Sequence, residues 1–311
     1  MPSRILLWLI FLFGSLPSAA VRAVVVAESN SPTETQAPIT DDFGFASVGT
    51  VFNSIAGIPA SGVYLGDGWI LSAYHNVTNG SGGFTFGGVT LGGLGYIVDT
   101  ATANRLHNPD LSFSDLAIFR LTAIPAGVPA VNLAGIAPSV GASVTMMGNG
   151  QDRSPTETNW LVVGGTWTEV AFGGNRSGYE LVGTRSMRWG TNTIETAPVL
   201  TPDFGFGKVV AFTMDFDDVS GQAMATGGDS GGGVFTYNGS AWELAGIMVT
   251  VDKFAGQPAG TVVYGNSTYA TSVASYKAEI VATMAAVPEP SASMILLTSS
   301  AWLLRRRRSA R

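Results

Sequence analysis

Between about residues 46 and 268 the apolar stretches are short, and each is cut off by Gly, Asn, Asp or Pro. SVGTVF, SGVYLG, WILSAY, DLAIFRL, SVTMMGNG, NWLVVGGTW, GGGVFTY and WELAGIMVTV are typical, and β-branched and aromatic residues dominate them. Short strands at close, regular spacing predict an all-β sandwich or barrel. No helical pattern of 10–15 residues recurs between them, which disfavours a parallel sheet built from βαβ units. One segment, SVASYKAEIVATMA at 272–285, has helical spacing, with Val273, Tyr276, Ile280 and Val281 on one side.

Both ends of the chain read as addresses. Residues 1–23 have the form of a secretory signal peptide: Arg4, the apolar run ILLWLIFLFG, then small residues offering cleavage after Ala20 or Ala23. An uncleaved membrane anchor is the alternative. Residues 24–45 are read as a polar, loose leader or linker. At the other end Pro288-Glu289-Pro290, the stretch SASMILLTSSAWLL and Arg305 to Arg308 follow in order. A short apolar span closed by four Arg is a marginal membrane segment with a positive-inside stop. In all three parts, residues 287–311 resemble the bacterial PEP-CTERM sorting signal; a plain C-terminal anchor is the alternative. That resemblance implies a Gram-negative bacterium, processing by an exosortase-type sorting machinery, and release or attachment at the cell surface. The membrane is then met only through the tail, before processing.

The ends also distort the charge. The chain has 16 basic and 22 acidic residues. Setting aside the two Arg of 1–23 and the five Arg and one Glu of 288–311 leaves nine basic and 21 acidic, a net of −12. So acidic a body argues against nucleic-acid binding. With no cysteine there is no disulfide, no thiolate metal site and no cysteine nucleophile. With only His75 and His107, a multi-histidine metal site is disfavoured, and no metal or organic cofactor is implied. The glycine-rich stretch 79–96 lacks a Lys-Ser/Thr ending and a following helix. It reads as strands FTF and VTL joined by a glycine turn rather than a phosphate loop.

Three strings carry the chemistry. In TGGDSGGGVF, 226–235, Ser230 lies between Asp229 and Gly231, among glycines that permit a sharp turn with converging N–H groups. A glycine-rich hairpin turn would look similar. In GWILSAYHNV, His75 follows an apolar strand, and imidazole is the natural base for a hydroxyl nucleophile near neutral pH. In FSDLAIFRL, Asp115 enters a strand, where a carboxylate can fix an imidazole tautomer. Taken singly, a histidine at a strand end such as His75 is more often a hydrogen-bonded structural residue, and an aspartate such as Asp115 more often a strand-initiating turn residue.

In the order His, Asp, Ser the three strings resemble the motifs of the chymotrypsin-like (trypsin-like) serine peptidases. STYATSVASYKAEI is similar to that family's last strand and C-terminal helix. The resemblance covers 46–286 and implies two antiparallel six-stranded β-barrels, divided near 137–141, with a short C-terminal helix. It further implies that Ser230 is the nucleophile, His75 the general base and Asp115 its orienting carboxylate. The N–H groups of Gly228 and Ser230 would form the oxyanion hole, and the substrate would be a protein or peptide. His107 is read as a surface residue.

The sequence departs from that family in three places. Asn76 stands where a cysteine often follows the histidine. No Lys or Arg lies between Arg22 and Arg105, so no tryptic activation cut precedes the barrels, and the enzyme is expected to fold active without one. The position that floors the primary pocket is Met224, and the wall segment reads Met248-Val249-Thr250-Val251. Met224, Val249, Thr250 and Val251 together predict a shallow apolar pocket and small or hydrophobic residues before the cut. A catalytically silent binding or surface module on the same fold is the other reading.

Overall fold

The structure, a computed structural model, describes residues 24–27, 36 and 42–286; the signal-peptide and sorting-tail readings lie outside them. Two antiparallel sheets dominate. In the first, the strand order is Leu94–Tyr96, Gly88–Leu91, Val48–Phe52, Pro59–Gly66, Trp69–Ala73, Phe113–Leu121 and Val98–His107. Its two outermost strands are consecutive in the chain, separated by Ile97 alone. One residue spans only about 3.5 Å, so the edges must meet and the sheet closes on itself.

The second sheet repeats the device. Its order is Arg188–Thr193, Ser143–Gly148, Gly233–Tyr237, Trp242–Asp252, Ser267–Ser272, Val210–Asp215 and Thr196–Leu200, with the short Asn132–Leu133 added in parallel to Trp242–Asp252. Here only Ile194 and Glu195 separate the edge strands, and the Glu195 N–H donates across to Thr213 O at 2.8 Å. Counting each pair of edge strands as one bent strand, both sheets are six-stranded barrels, the expected architecture. Asn132–Leu133 is the first segment in chain order to pair with a strand of the second sheet.

Burial explains the sequence pattern. In Trp69–Ala73 every side chain is buried, because alternate residues face two cores. Ile70 points into the first barrel with Val51, Val89 and Phe119, while Trp69 and Leu71 join a cluster that holds Met147, Phe235, Leu244 and Ile247 of the second barrel. The two barrels are thus joined by a shared apolar layer, without a disulfide.

Four features differ from the sequence reading. The hairpin in 79–96 is Gly88–Leu91 with Leu94–Tyr96; FTF contributes only an isolated bridge between Phe84 and Thr78, while Phe84 and Phe86 pack against the first barrel's core. The helix runs Lys277–Ala286 after a 3-10 turn at Val273–Ser275. A further sheet of five strands, built from 151–185 with Thr261–Val263, lies outside both barrels. Its hairpin Thr158–Val163/Thr166–Val170 turns on Gly164 and Gly165, both at positive φ.

The fourth difference concerns the leader. Val24, Val25, Val26 and Ala27 are not loose: each is at most 1% exposed. Val25–Val26 pairs with Ala223–Met224, and the Arg153 Nε donates to Val26 O at 2.9 Å. Three consecutive valines have a strong β preference and a core to enter.

Candidate active site

The strand Trp69–Ala73 runs into a 3-10 turn, Tyr74–Asn76, which carries His75 at the rim of the first barrel. Its neighbour Phe113–Leu121 supplies Asp115, 8% exposed. The two side chains meet in a bidentate arrangement. His75 Nδ1 lies 2.7 Å from Asp115 Oδ2, and the His75 backbone N–H donates to Asp115 Oδ1 at 2.9 Å. Both carboxylate oxygens are therefore committed to one residue, which fixes ring and tautomer together.

Ser230 arrives from the second barrel on the turn before Gly233–Tyr237. Its carbonyl is docked on the first barrel, accepting from the Ser61 N–H at 2.9 Å and from Asn76 Nδ2 at 2.7 Å. The Ser61 hydroxyl donates to Gly228 O at 2.8 Å and accepts from the Asn149 N–H at 2.8 Å. The serine turn is thereby brought against the residue that follows His75. Among the described residues no hydrogen bond joins the Ser230 hydroxyl to His75. The N–H groups of Gly228 and Ser230 likewise donate to no group among the described residues. Gly228 sits at φ +106°, a conformation that glycine adopts without strain. Gly231 is held by space as well: a Cβ there would lie 2.0 Å from Ser61 O.

Asp229 is wholly buried. Its carboxylate accepts from the Gly150 and Thr226 N–H groups, both at 2.7 Å, and from the Thr226 hydroxyl at 3.0 Å. Burial nevertheless pushes its carboxyl up to about 6; the Thr226 and Gly150 bonds and the Arg185 charge oppose this without cancelling it. Because the folded value lies above the unfolded 3.8, the folded state binds the proton more tightly. The stabilisation is full below the unfolded value and is lost as pH rises through about 6. Between pH 4 and 7 the wild type should lose on the order of 2–3 kcal/mol relative to Asp229→Asn. Parallel denaturation curves at the two pH values give the comparison; identical pH slopes would refute it.

A cleft of about 180 Å³ opens beside His75 and Asp115, lined by Thr201, Pro202, Phe204, Phe206, Gly207, Val249 and Thr250. The Phe206 ring centre lies 5.6 Å from that of His75. Arg105 braces this corner: Nε donates to Ser114 O at 2.8 Å, Nη2 donates to Phe206 O at 2.6 Å, and the guanidinium sits 4.0 Å from the centre of the Tyr74 ring. Of the residues expected to contact substrate, Val249 and Thr250 line this cleft. Val251 and Met224 do not: Met224 is fully buried in a separate cluster with Val25, Tyr179, Phe216 and Val262, and the half-buried Val251 packs against that cluster. A larger concavity of about 620 Å³, lined by residues including Thr191, Gln222, Tyr237 and Trp242, holds no carboxylate or imidazole.

His107 is not a simple surface residue. Its Nδ1 and backbone N–H both meet the Glu279 carboxylate at 2.8 Å, and its ring stacks on Phe113. It pins the C-terminal helix to the first barrel, because Glu279 is the helix residue that faces the strand Val98–His107.

No single string indicated Ser61, Ser72, Arg105 or Phe206. Asn76 had a signal, its place beside His75; the others depend on strand pairing and loop closure that local sequence does not encode.

No family model and no curated protein matches this chain. Among solved structures it is similar to the Rv3671c protease of M. tuberculosis in its active form, at 14% identity and TM-score 0.49, covering 86% of this chain and 92% of that one. It is also similar to the inactive form of that protease, at 17% identity and TM-score 0.47, covering 84% and 98%. A third is neuropsin, a serine protease expressed in the limbic system of mouse brain, at 18% identity and TM-score 0.47, covering 78% and 96%. At such values the double-barrel assignment rests on the strand pairing itself.

Proposed function

We propose that this chain is a chymotrypsin-like serine endopeptidase that works through His75, Asp115 and Ser230. The observation that carries the reading is the bidentate His75–Asp115 pair with the Ser230 carbonyl docked on the adjoining Asn76. Ser230 Oγ attacks the scissile carbonyl carbon while His75 Nε2 takes its proton, leaving a tetrahedral oxyanion. The free N–H groups of Gly228 and Ser230 receive that charge. Imidazolium then protonates the leaving amine as the C–N bond breaks, giving an acyl-enzyme. Water, deprotonated by His75, releases the acid and restores Ser230. Asp115 keeps the Nδ1 proton in place throughout and is not itself protonated.

Val249, Thr250 and the phenylalanines of the cleft favour apolar or small side chains before the cut. Cleavage chiefly after Arg or Lys in a peptide library would contradict this preference. The filled hydrogen bonds of Asp229 support a site that needs no activation cut upstream of the barrels. Export, surface attachment in a Gram-negative bacterium and exosortase processing remain part of the proposal on the strength of residues 1–23 and 287–311 alone.

The deciding experiment treats the full chain with a fluorophosphonate and locates the adduct by mass spectrometry. Labelling at Ser230, lost in Ser230→Ala and in His75→Ala, is the expected result. Folded protein that takes no label would favour the silent binding module.

A further inference from the structure

We infer that Asn76 is a positioning residue of the reaction, the hydrogen-bonded tie that sets the distance between His75 and Ser230. The inference rests on the proposed triad and assigns a role to a residue outside it. Asn76 belongs by backbone to the first barrel, as the last residue of the turn that carries His75. Its side chain crosses to the second barrel, where Nδ2 donates to Ser230 O at 2.7 Å and, at 3.2 Å, to Ser72 Oγ. The backbone of Asn76 is fixed in turn, since its carbonyl accepts from Asn53 Nδ2 at 3.1 Å. At 8% exposure the amide is nearly dry, so water is a poor substitute for either partner.

The Ser230 carbonyl has two acceptor positions, and both are used, by the Ser61 N–H and by Asn76. Only the second bond comes from the histidine's own turn. Ser61 fixes the serine turn to a strand; Asn76 fixes it to the base. The chain has no cysteine, so no covalent link shares this task. Proton transfer from Oγ to Nε2 needs a heavy-atom separation of about 2.6–3.2 Å. Loss of the tie lets the two barrels' reactive groups drift by fractions of an ångström while the binding cleft stays as it is.

Two variants separate this role from general stability. Asn76→Asp keeps the shape but replaces the donor with an oxygen facing the Ser230 carbonyl; Asn76→Leu removes all polarity. Fluorophosphonate labelling is followed against probe concentration, which yields a maximal rate and a half-saturation. Since misplacement by about 1 Å can cost ~100-fold, both variants should lower the maximal rate about 10- to 100-fold, with half-saturation unchanged within about twofold. Val89→Ala, in the first-barrel core away from the site, serves as the destabilised control and should keep its maximal rate.

Wild-type rates in both Asn76 variants, a loss confined to half-saturation, or an equal loss in Val89→Ala would each overturn the inference. So would failure of both variants to fold, which would make Asn76 a residue that holds the structure rather than the site. If folded wild type takes no label, the triad reading fails and this inference with it. If wild type labels and the Asn76 variants label equally fast, only the inference fails.

Discussion

Asp115→Asn is expected to slow labelling of Ser230 by about 10⁴-fold, the size of the effect when a triad's orienting carboxylate becomes an amide. The reason here is specific to the bidentate contact. Asp115 Oδ1 accepts from the His75 backbone N–H, which cannot change its role as a donor. An asparagine must therefore place its carbonyl oxygen at that position, and its NH₂ then faces His75 Nδ1, now 2.7 Å from Oδ2. Two donors cannot share that contact, so Nδ1 gives up its proton and the ring carries it on Nε2. Nε2 is then occupied and cannot take the proton of Ser230. The amide is isosteric and Asp115 is nearly buried, so the fold and the probe's half-saturation should persist. Labelling kinetics of the variant, together with its thermal midpoint, give the answer. A slowing of less than about tenfold in folded protein would show that Asp115 does not set the tautomer, against the ~10⁴ that role requires.

The parts of this site that were legible in sequence are those written in a few consecutive residues. A histidine closing an apolar strand, an aspartate opening one and a serine among glycines each need only a local turn, so each left a local string. The docking of the serine turn on the first barrel left no string of its own: Asn76 shows only its place beside His75, and Ser61, Ser72 and Asn76 acquire their partners only when strands far apart in sequence close into barrels. Barrel closure itself was hidden for a related reason. Ile97 and the pair Ile194–Glu195 look like ordinary linkers, yet each is the corner of a bent strand that joins the two edges of a sheet. Met224 shows the limit of carrying a position across by resemblance. Its register in the serine string was readable, but its burial against Val25 depends on a strand assigned to the leader. That strand has a plain signal, three valines in a row, which the neighbouring signal-peptide pattern obscured.

Those valines carry the second large effect: Val25→Asp is expected to destabilise the protein by about 3–5 kcal/mol at pH 7. Val25 is 1% exposed and packs with Tyr179, Phe216, Met224 and Val262. A carboxyl there must either be protonated, costing about 4 kcal/mol to bring a group of ordinary acidity to neutral at pH 7, or be expelled with its segment. Expulsion sets the ceiling. Residues 24–27 gain about 1.5–3 kcal/mol for each buried valine and return about 1–2 kcal/mol per ordered residue. They also hold hydrogen bonds to Gln222, Gly221 and Arg153. The variant should therefore match a chain lacking 24–27 in stability, and its deficit should shrink toward pH 4, where the carboxyl enters neutral. Gln36→Asp, on an exposed residue of the same leader, should stay within about 0.5 kcal/mol of wild type. Ala223 and Met224 lie just before the serine turn, so expulsion should slow Ser230 labelling as well. Equal thermal midpoints for Val25→Asp and wild type would return 24–27 to the status of a loose leader. A signal-peptide cut after Ala23 would leave the strand intact, whereas a cut between Ile39 and Val48 would remove it. N-terminal sequencing of labelled protein should accordingly find an end no later than Val24.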